Sequence, residues 1–126
     1  MSRLEDLLLM MSAELPGFIA TLVVEVESGM SVAQTSVDPN FDTSAASASY
    51  AEVVKANAQA LDLLGIGAGT AEDILISLRN ANFLIRVLGK DYYQGLAIAR
   101  QTTLGFARAV MKKYDPLLMQ ALREIG

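Results

Sequence analysis

A chain of 126 residues fits one domain, and with 52% hydrophobic and only 19% charged residues it is more apolar than an average soluble domain, which points to burial beyond its own core. It contains no cysteine and no histidine, which excludes disulfides and thiolate zinc sites and removes the commonest metal ligand and the commonest general base. A net charge of −4 with scattered Lys and Arg argues against binding of nucleic acid, whose affinity rests on clustered cations.

Ser2 is placed to cap a first helix and Glu5 sits at the capping-box position, so that helix is predicted to run to about Glu14, with Pro16 and Gly17 ending it. Leu4, Leu7, Leu8 and Met11 recur at three-to-four spacing and form one face that must be covered. The apolar run Leu7 to Met11 follows Glu5 and Asp6 and is too short for a secretory core. No stretch approaches the roughly 20 uncharged apolar residues that span a bilayer, so the expectation is a soluble, cytoplasmic protein without membrane insertion. Phe18 to Val26 reads as a strand, Glu27-Ser28-Gly29 as a turn and Met30 to Val37 as its hairpin partner. Leu22-Val23-Val24 shows no alternation, which predicts a strand covered on both faces and helices on both sides of the sheet.

Asp38-Pro39-Asn40 is turn chemistry, and Thr43 or Ser44 is expected to cap a long second helix that ends near Leu64 and is stopped by Gly65. Tyr50, Val53, Val54, Asn57, Leu61 and Leu64 mark its predicted buried stripe. The rest of that helix is rich in alanine, which is both the best helix former and small enough to let two backbones approach. Strands are predicted at Asp73–Arg79, Phe83–Leu88 and Gly95–Arg100, joined by turns at Asn80-Ala81-Asn82 and Gly89-Lys90-Asp91. Thr102 or Thr103 should cap a last helix through Phe106, Val110 and Met111, with a break after Tyr114 at Pro116 and further helical turns to Ile125. The resulting order, α-β-β-α-β-β-β-α, is an α+β class with helices on both sides of the sheet, in a single domain spanning residues 1–126.

Three features invite a chemical reading. Gly65-Ile66-Gly67-Ala68-Gly69-Thr70 resembles a phosphate loop, but it leaves a helix for a strand and lacks the P-loop lysine, so a helix C-cap and connector is the better reading. The adjacent carboxylates Glu5-Asp6 and Glu72-Asp73 diverge on any regular element and read as surface charge. Arg79, Arg86 and Arg100 stand in or beside strands. An arginine can complete a GTPase site, yet one at a strand end more often faces solvent or pairs with a carboxylate. No catalytic residue, cofactor site or metal site is assigned, and the chain is not expected to be an enzyme on its own.

The stretch Gly17-Phe18-Ile19-Ala20-Thr21-Leu22-Val23-Val24, the turn Glu27-Ser28-Gly29-Met30 and the long alanine-rich helix together resemble the Roadblock and dynein light chain family, over nearly the whole chain. The resemblance implies a profilin-like fold, a five-stranded antiparallel sheet with the first and last helices on one face and the second on the other. It also implies a homodimer paired through the second helix and the strand after it, acting as a scaffold or regulator of a small Ras-like GTPase. The surface this assigns comprises Ala45, Ala48, Ala51, Glu52, Lys55, Ala56 and Gln59 on the helix with Asp73, Leu75, Ser77 and Arg79 on the strand. The competing expectation is a small-molecule sensor, which would need a cavity between the sheet and the long helix.

Overall fold

The computed structural model describes residues 2–125. Its elements are α1 (Arg3–Glu14), β1 (Phe18–Glu25), β2 (Ser31–Ser36), α2 (Thr43–Leu63), a 3₁₀ turn (Ala68–Thr70), β3 (Ile74–Ser77), β4 (Ala81–Leu88), β5 (Tyr92–Ala99) and α3 (Leu104–Ile125). The strands form one antiparallel five-stranded sheet in the order β2-β1-β5-β4-β3. The α+β class, element order and two-sided burial are those expected.

One face of the sheet packs against α1 and α3 through Val23, Leu84, Leu96 and Ile98, which meet Leu4, Leu8, Met11, Val110, Met111 and Leu118. The opposite face packs against α2 through Leu22, Val24, Phe83, Ile85, Tyr93 and Ala97, which meet Ala51 and Val54. Val23 and Val24 thus point into different cores, which is why the run Leu22-Val23-Val24 has no alternation. The expected capping box forms, with Ser2 Oγ accepting from Glu5 N at 3.2 Å and Glu5 Oε1 accepting from Ser2 N at 3.4 Å.

Several boundaries move. The cap of α2 is Asp42, one or two residues before the expected Thr43 or Ser44, because its carboxylate accepts from both Ser44 N and Ala45 N. A bond from Leu78 N to Ala81 O closes the turn earlier than predicted, so β4 begins at Ala81 and not at Phe83. β3 is shorter than Asp73–Arg79, and β5 begins at Tyr92 and not Gly95, since Tyr92 and Tyr93 pair with β1 and β4. The predicted break at Pro116 is absent. α3 runs through it, because Tyr114, Leu118, Ala121 and Leu122 continue the buried stripe of Ala107, Val110 and Met111. Burial of these side chains, at about 1.5–3 kcal/mol for a large one, offsets the roughly 3 kcal/mol cost of an interior proline.

The buried stripe of α2 also differs from the predicted one. Thr43, Ser47, Ala51 and Val54 face inward, while Val53 and Leu64 are exposed and Tyr50 is half-buried. Close seating selects the small face. Tyr93 Oη donates to Ser47 O at 2.8 Å, Ser47 Oγ donates to Gly29 O at 2.9 Å, and a Cβ on Gly29 would lie 2.9 Å from Ala48 Cα. The large residues therefore have no room beneath the first half of the helix.

Candidate functional site

The sheet has two edges, and they differ in protection. On β2 the sequence Ser-Val-Ala-Gln-Thr-Ser is polar, its pairing with β1 shifts register between Val23 and Val24, and Gln34 accepts from Thr43 at the start of α2. Polar side chains and an irregular register both discourage further strand pairing. The β3 edge has none of these devices. Its pairing with β4 is regular from Ile74 to Ser77, its sequence is Ile-Leu-Ile-Ser, and Leu75 and Leu78 stand exposed beside it.

Alternation splits the β3 side chains between faces. Ile74 and Ile76 pack on the α2 side, opposite Ile85 and Phe83, which places Leu75 and Ser77 on the α3 side. The strand residues expected to mark the interaction surface therefore point away from α2, and the backbone edge lies between the two sets. Ile74 and Ile76, absent from the expected set, are the ones that share a face with α2. The apolar run Ile74-Leu75-Ile76 hides that split in the sequence, and only the alternating burial of the strand reveals it.

On α2, the expected residues Ala45, Ala48, Glu52, Ala56 and Gln59 are all exposed, Lys55 is half-buried, and Ala51 is 1% exposed and faces the sheet. The outer face reads Ala45, Ser49, Glu52, Ala56, Gln59 and Leu63, an alternation of four- and three-residue steps with a small residue at three of its positions. Such a seam suits close packing of a second helix. It ends in exposed Leu63, Leu64 and Ile66.

The glycine-containing segment after α2 is a helix stop, as expected. Gly65 at φ +73° lets Gly65 N donate to Asp62 O and Ile66 N to Leu61 O, both at 3.0 Å. The Asp62 carboxylate accepts from Ala68 N at 3.2 Å, so an internal anion occupies the loop's amide. A cleft of about 420 Å³ opens between α2 and the β3–β4 side of the sheet, with Val54, Ala58, Ile74, Ile85 and Val87 in its walls and Lys55 and Lys90 beside them.

Titratable side chains serve structure. Burial, with Tyr50 nearby, pushes the Tyr93 phenol up to about 12. Glu14 accepts from Lys113 at 2.7 Å and from the Tyr114 hydroxyl, which holds its carboxyl below the ordinary range and raises Tyr114 to about 12. Burial pushes the Asp115 carboxyl up while the Arg86 bond pulls it down. Among the described residues no group of three or more carboxylates could hold a metal, and no helix is long and apolar enough to cross a membrane.

No protein-family model matches the chain, and no curated protein matches it in sequence. Solved structures do match in shape. Myxococcus xanthus MglB superposes with a TM-score of 0.87 at 14% identity, covering 98% of this chain and 90% of that one. A structure described as MglB with a tetrameric arrangement gives 0.85 at 16% identity, covering 97% and 89%. The Roadblock/LC7 domain from Streptomyces avermitilis gives 0.69 at 10% identity, covering 96% and 95%. The chain is a domain of the Roadblock/MglB-like fold.

Proposed function

We propose that the chain is a homodimeric cytoplasmic scaffold that binds a small Ras-like GTPase and alters its nucleotide cycle or its location, and is not an enzyme by itself. The observation that carries this reading is the regular, unprotected β3 edge beside the small-residue outer face of α2. A second copy adding its β3 antiparallel to this one would extend the sheet and bring its own α2 alongside, over the cleft that borders β3. The shape likeness to MglB and Roadblock structures, one of them described as tetrameric, supports self-association. The GTPase rests on the family resemblance alone. Light scattering after gel filtration tests the first part: a dimer is expected, and a stable monomer at micromolar concentration sinks it. Retention of a small GTPase from native lysate in GTP but not GDP, or the reverse, is the outcome expected for the second. Equal retention of nothing but the chain itself would reject it.

A second reading has a specific observation in its favour. The cleft of about 420 Å³ between α2 and the sheet falls within the roughly 300–1,000 Å³ of small-molecule sites and is lined by apolar residues such as Val54, Ile74 and Ile85 together with charged Glu27, Lys55, Glu72 and Lys90. A small-molecule sensor would carry a ligand through native mass spectrometry, whereas the dimeric scaffold predicts a mass of two bare chains.

A further inference from the structure

The edge strand β3 is only four residues long, is paired on one side, and follows a connector with positive-φ glycines, yet it is held at both ends by arginines from other elements. Ahead of it, Arg108 of α3 donates two bonds to the Asp73 carboxylate, Nε at 2.8 Å and Nη2 at 3.1 Å. Arg86 of β4 donates from Nη1 to Glu72 O at 3.2 Å while its Nε is bound to Asp115 of α3 at 2.7 Å, so this grip is itself anchored. After the strand, Arg100 donates from Nη1 to Leu78 O at 2.7 Å. Two of the three arginines that the sequence offered as candidate fingers, Arg86 and Arg100, are thus committed to the backbone flanking β3.

We propose that Arg86, Arg108 and Arg100 form a bracket that positions β3 as the template for pairing with a second chain, an inference that rests on the dimeric reading above. Holding the strand straight before association removes an ordering cost that a frayed edge would meet on binding. The paired forks have the geometry for this. An arginine guanidinium and a carboxylate fix two bonds in one plane; Asp73 is only 11% exposed while Arg108 is 38% exposed, so solvent screens the pair in part and geometry carries the grip. Lys112 and Glu72, at 3.6 Å with 54% and 72% exposure, form the neighbouring pair that solvent does screen.

The test measures dimer dissociation by sedimentation together with hydrogen exchange of the amides at 74–77 in the full chain. Arg108→Ala is expected to weaken the dimer by about tenfold or more, equivalent to about 1.4 kcal/mol, and to speed exchange across β3 while the exchange of β1 and β5 stays unchanged. Lys112→Ala should stay within about twofold of wild type, as an exposed pair predicts. Asp73→Asn, which keeps the shape and removes the charge, disturbs packing least, and it is expected to follow Arg108→Ala. Dimerisation and β3 exchange unchanged in both Arg108→Ala and Asp73→Asn overturn the bracket and leave the dimer standing. A wild-type chain that is monomeric at every concentration removes the dimeric reading itself.

Discussion

Gly29 and Gly65 offer a matched pair of substitutions that separates backbone strain from packing. Both sit at φ +73°, so an alanine at either position meets the same left-handed penalty, about 1–2 kcal/mol. Both gain equally from the reduced freedom of the unfolded chain. They differ in space: a Cβ at position 65 has nothing within 4 Å, whereas one at position 29 would lie 2.9 Å from both Cα and Cβ of Ala48. Cα belongs to the helix backbone and Cβ is fixed directly to it, so neither can rotate aside. Moving α2 outward would stretch the bond from Ser47 Oγ to Gly29 O and the bond from Tyr93 Oη to Ser47 O. Overpacking of this kind costs about 1–3 kcal/mol in addition, so Gly29→Ala should lose about 2–5 kcal/mol and Gly65→Ala only about 1–2. Urea unfolding followed by circular dichroism measures both, and their difference is the steric term. Equal losses in the two variants would refute the argument that the turn fixes the seating of α2.

Three further outcomes follow from polar side chains. Gln94 is fully buried, donating to Thr21 Oγ1 and Met11 Sδ while its Oε1 has no partner; Gln94→Met should therefore be neutral or up to about 1 kcal/mol stabilising in urea unfolding, because Thr21 still donates to Gly95 O. For Tyr93, raised to about 12 from 10.0, the unfolded chain loses its proton first; stability should fall by about 2–3 kcal/mol between these pH values, and Tyr93→Phe should lessen that slope in alkaline melts, leaving the part due to Tyr114. At the acid end the sign reverses, since Glu14 is held below its ordinary 4.5. Its contribution is present above that pH and lost as pH falls through the depressed value, so thermal melts of Glu14→Gln should show a shallower acid limb.

What could be read from the sequence follows from how local each cause is. The capping box of Ser2 and Glu5, the helix stop at Gly65 and the two-sided burial of Leu22-Val23-Val24 each depend on a few adjacent residues. Pro116 does not. Its local rule says break, and only the packing of Tyr114, Leu118 and Leu122 on α1 and the sheet overrides it. The inward face of α2 is misread for the same reason. Val53 outranks Ser47 on any hydrophobicity scale, but Gly29, Tyr93 and Ala48 meet there only after the hairpin has folded. On the candidate surface, the seam of α2 is legible from its spacing, whereas the contrast between a bulged polar β2 edge and a regular β3 edge depends on strand order. The ties from Arg86 and Arg108 join residues 29 and 35 positions apart, and no periodicity reports them.

The helices differ in how much they bury, and the difference bears on α2. In α1 four of 12 residues are buried, namely Leu4, Leu7, Leu8 and Met11, and in α3 seven of 22. α2 buries four of 21, and those are Thr43, Ser47, Ala51 and Val54. Most helical stability comes from a packed apolar face, so α2 should be the least protected helix of a monomer, particularly beyond Val54 where it borders the cleft. If its outer seam is the contact between copies, association must stabilise it by mass action, by about 2.7 kcal/mol at a hundredfold excess over the dissociation constant. Hydrogen exchange at two protein concentrations spanning that constant reads this directly. Amides in the C-terminal half of α2 should slow by up to about a hundredfold at the higher concentration, since each 1.4 kcal/mol is a factor of ten. Amides in the first two turns of α1, distant in sequence and on the other face of the sheet, should change far less. Equal exchange of α2 at both concentrations, with the dimer population shown to differ, would place the contact elsewhere and leave its small outer face as helix propensity alone.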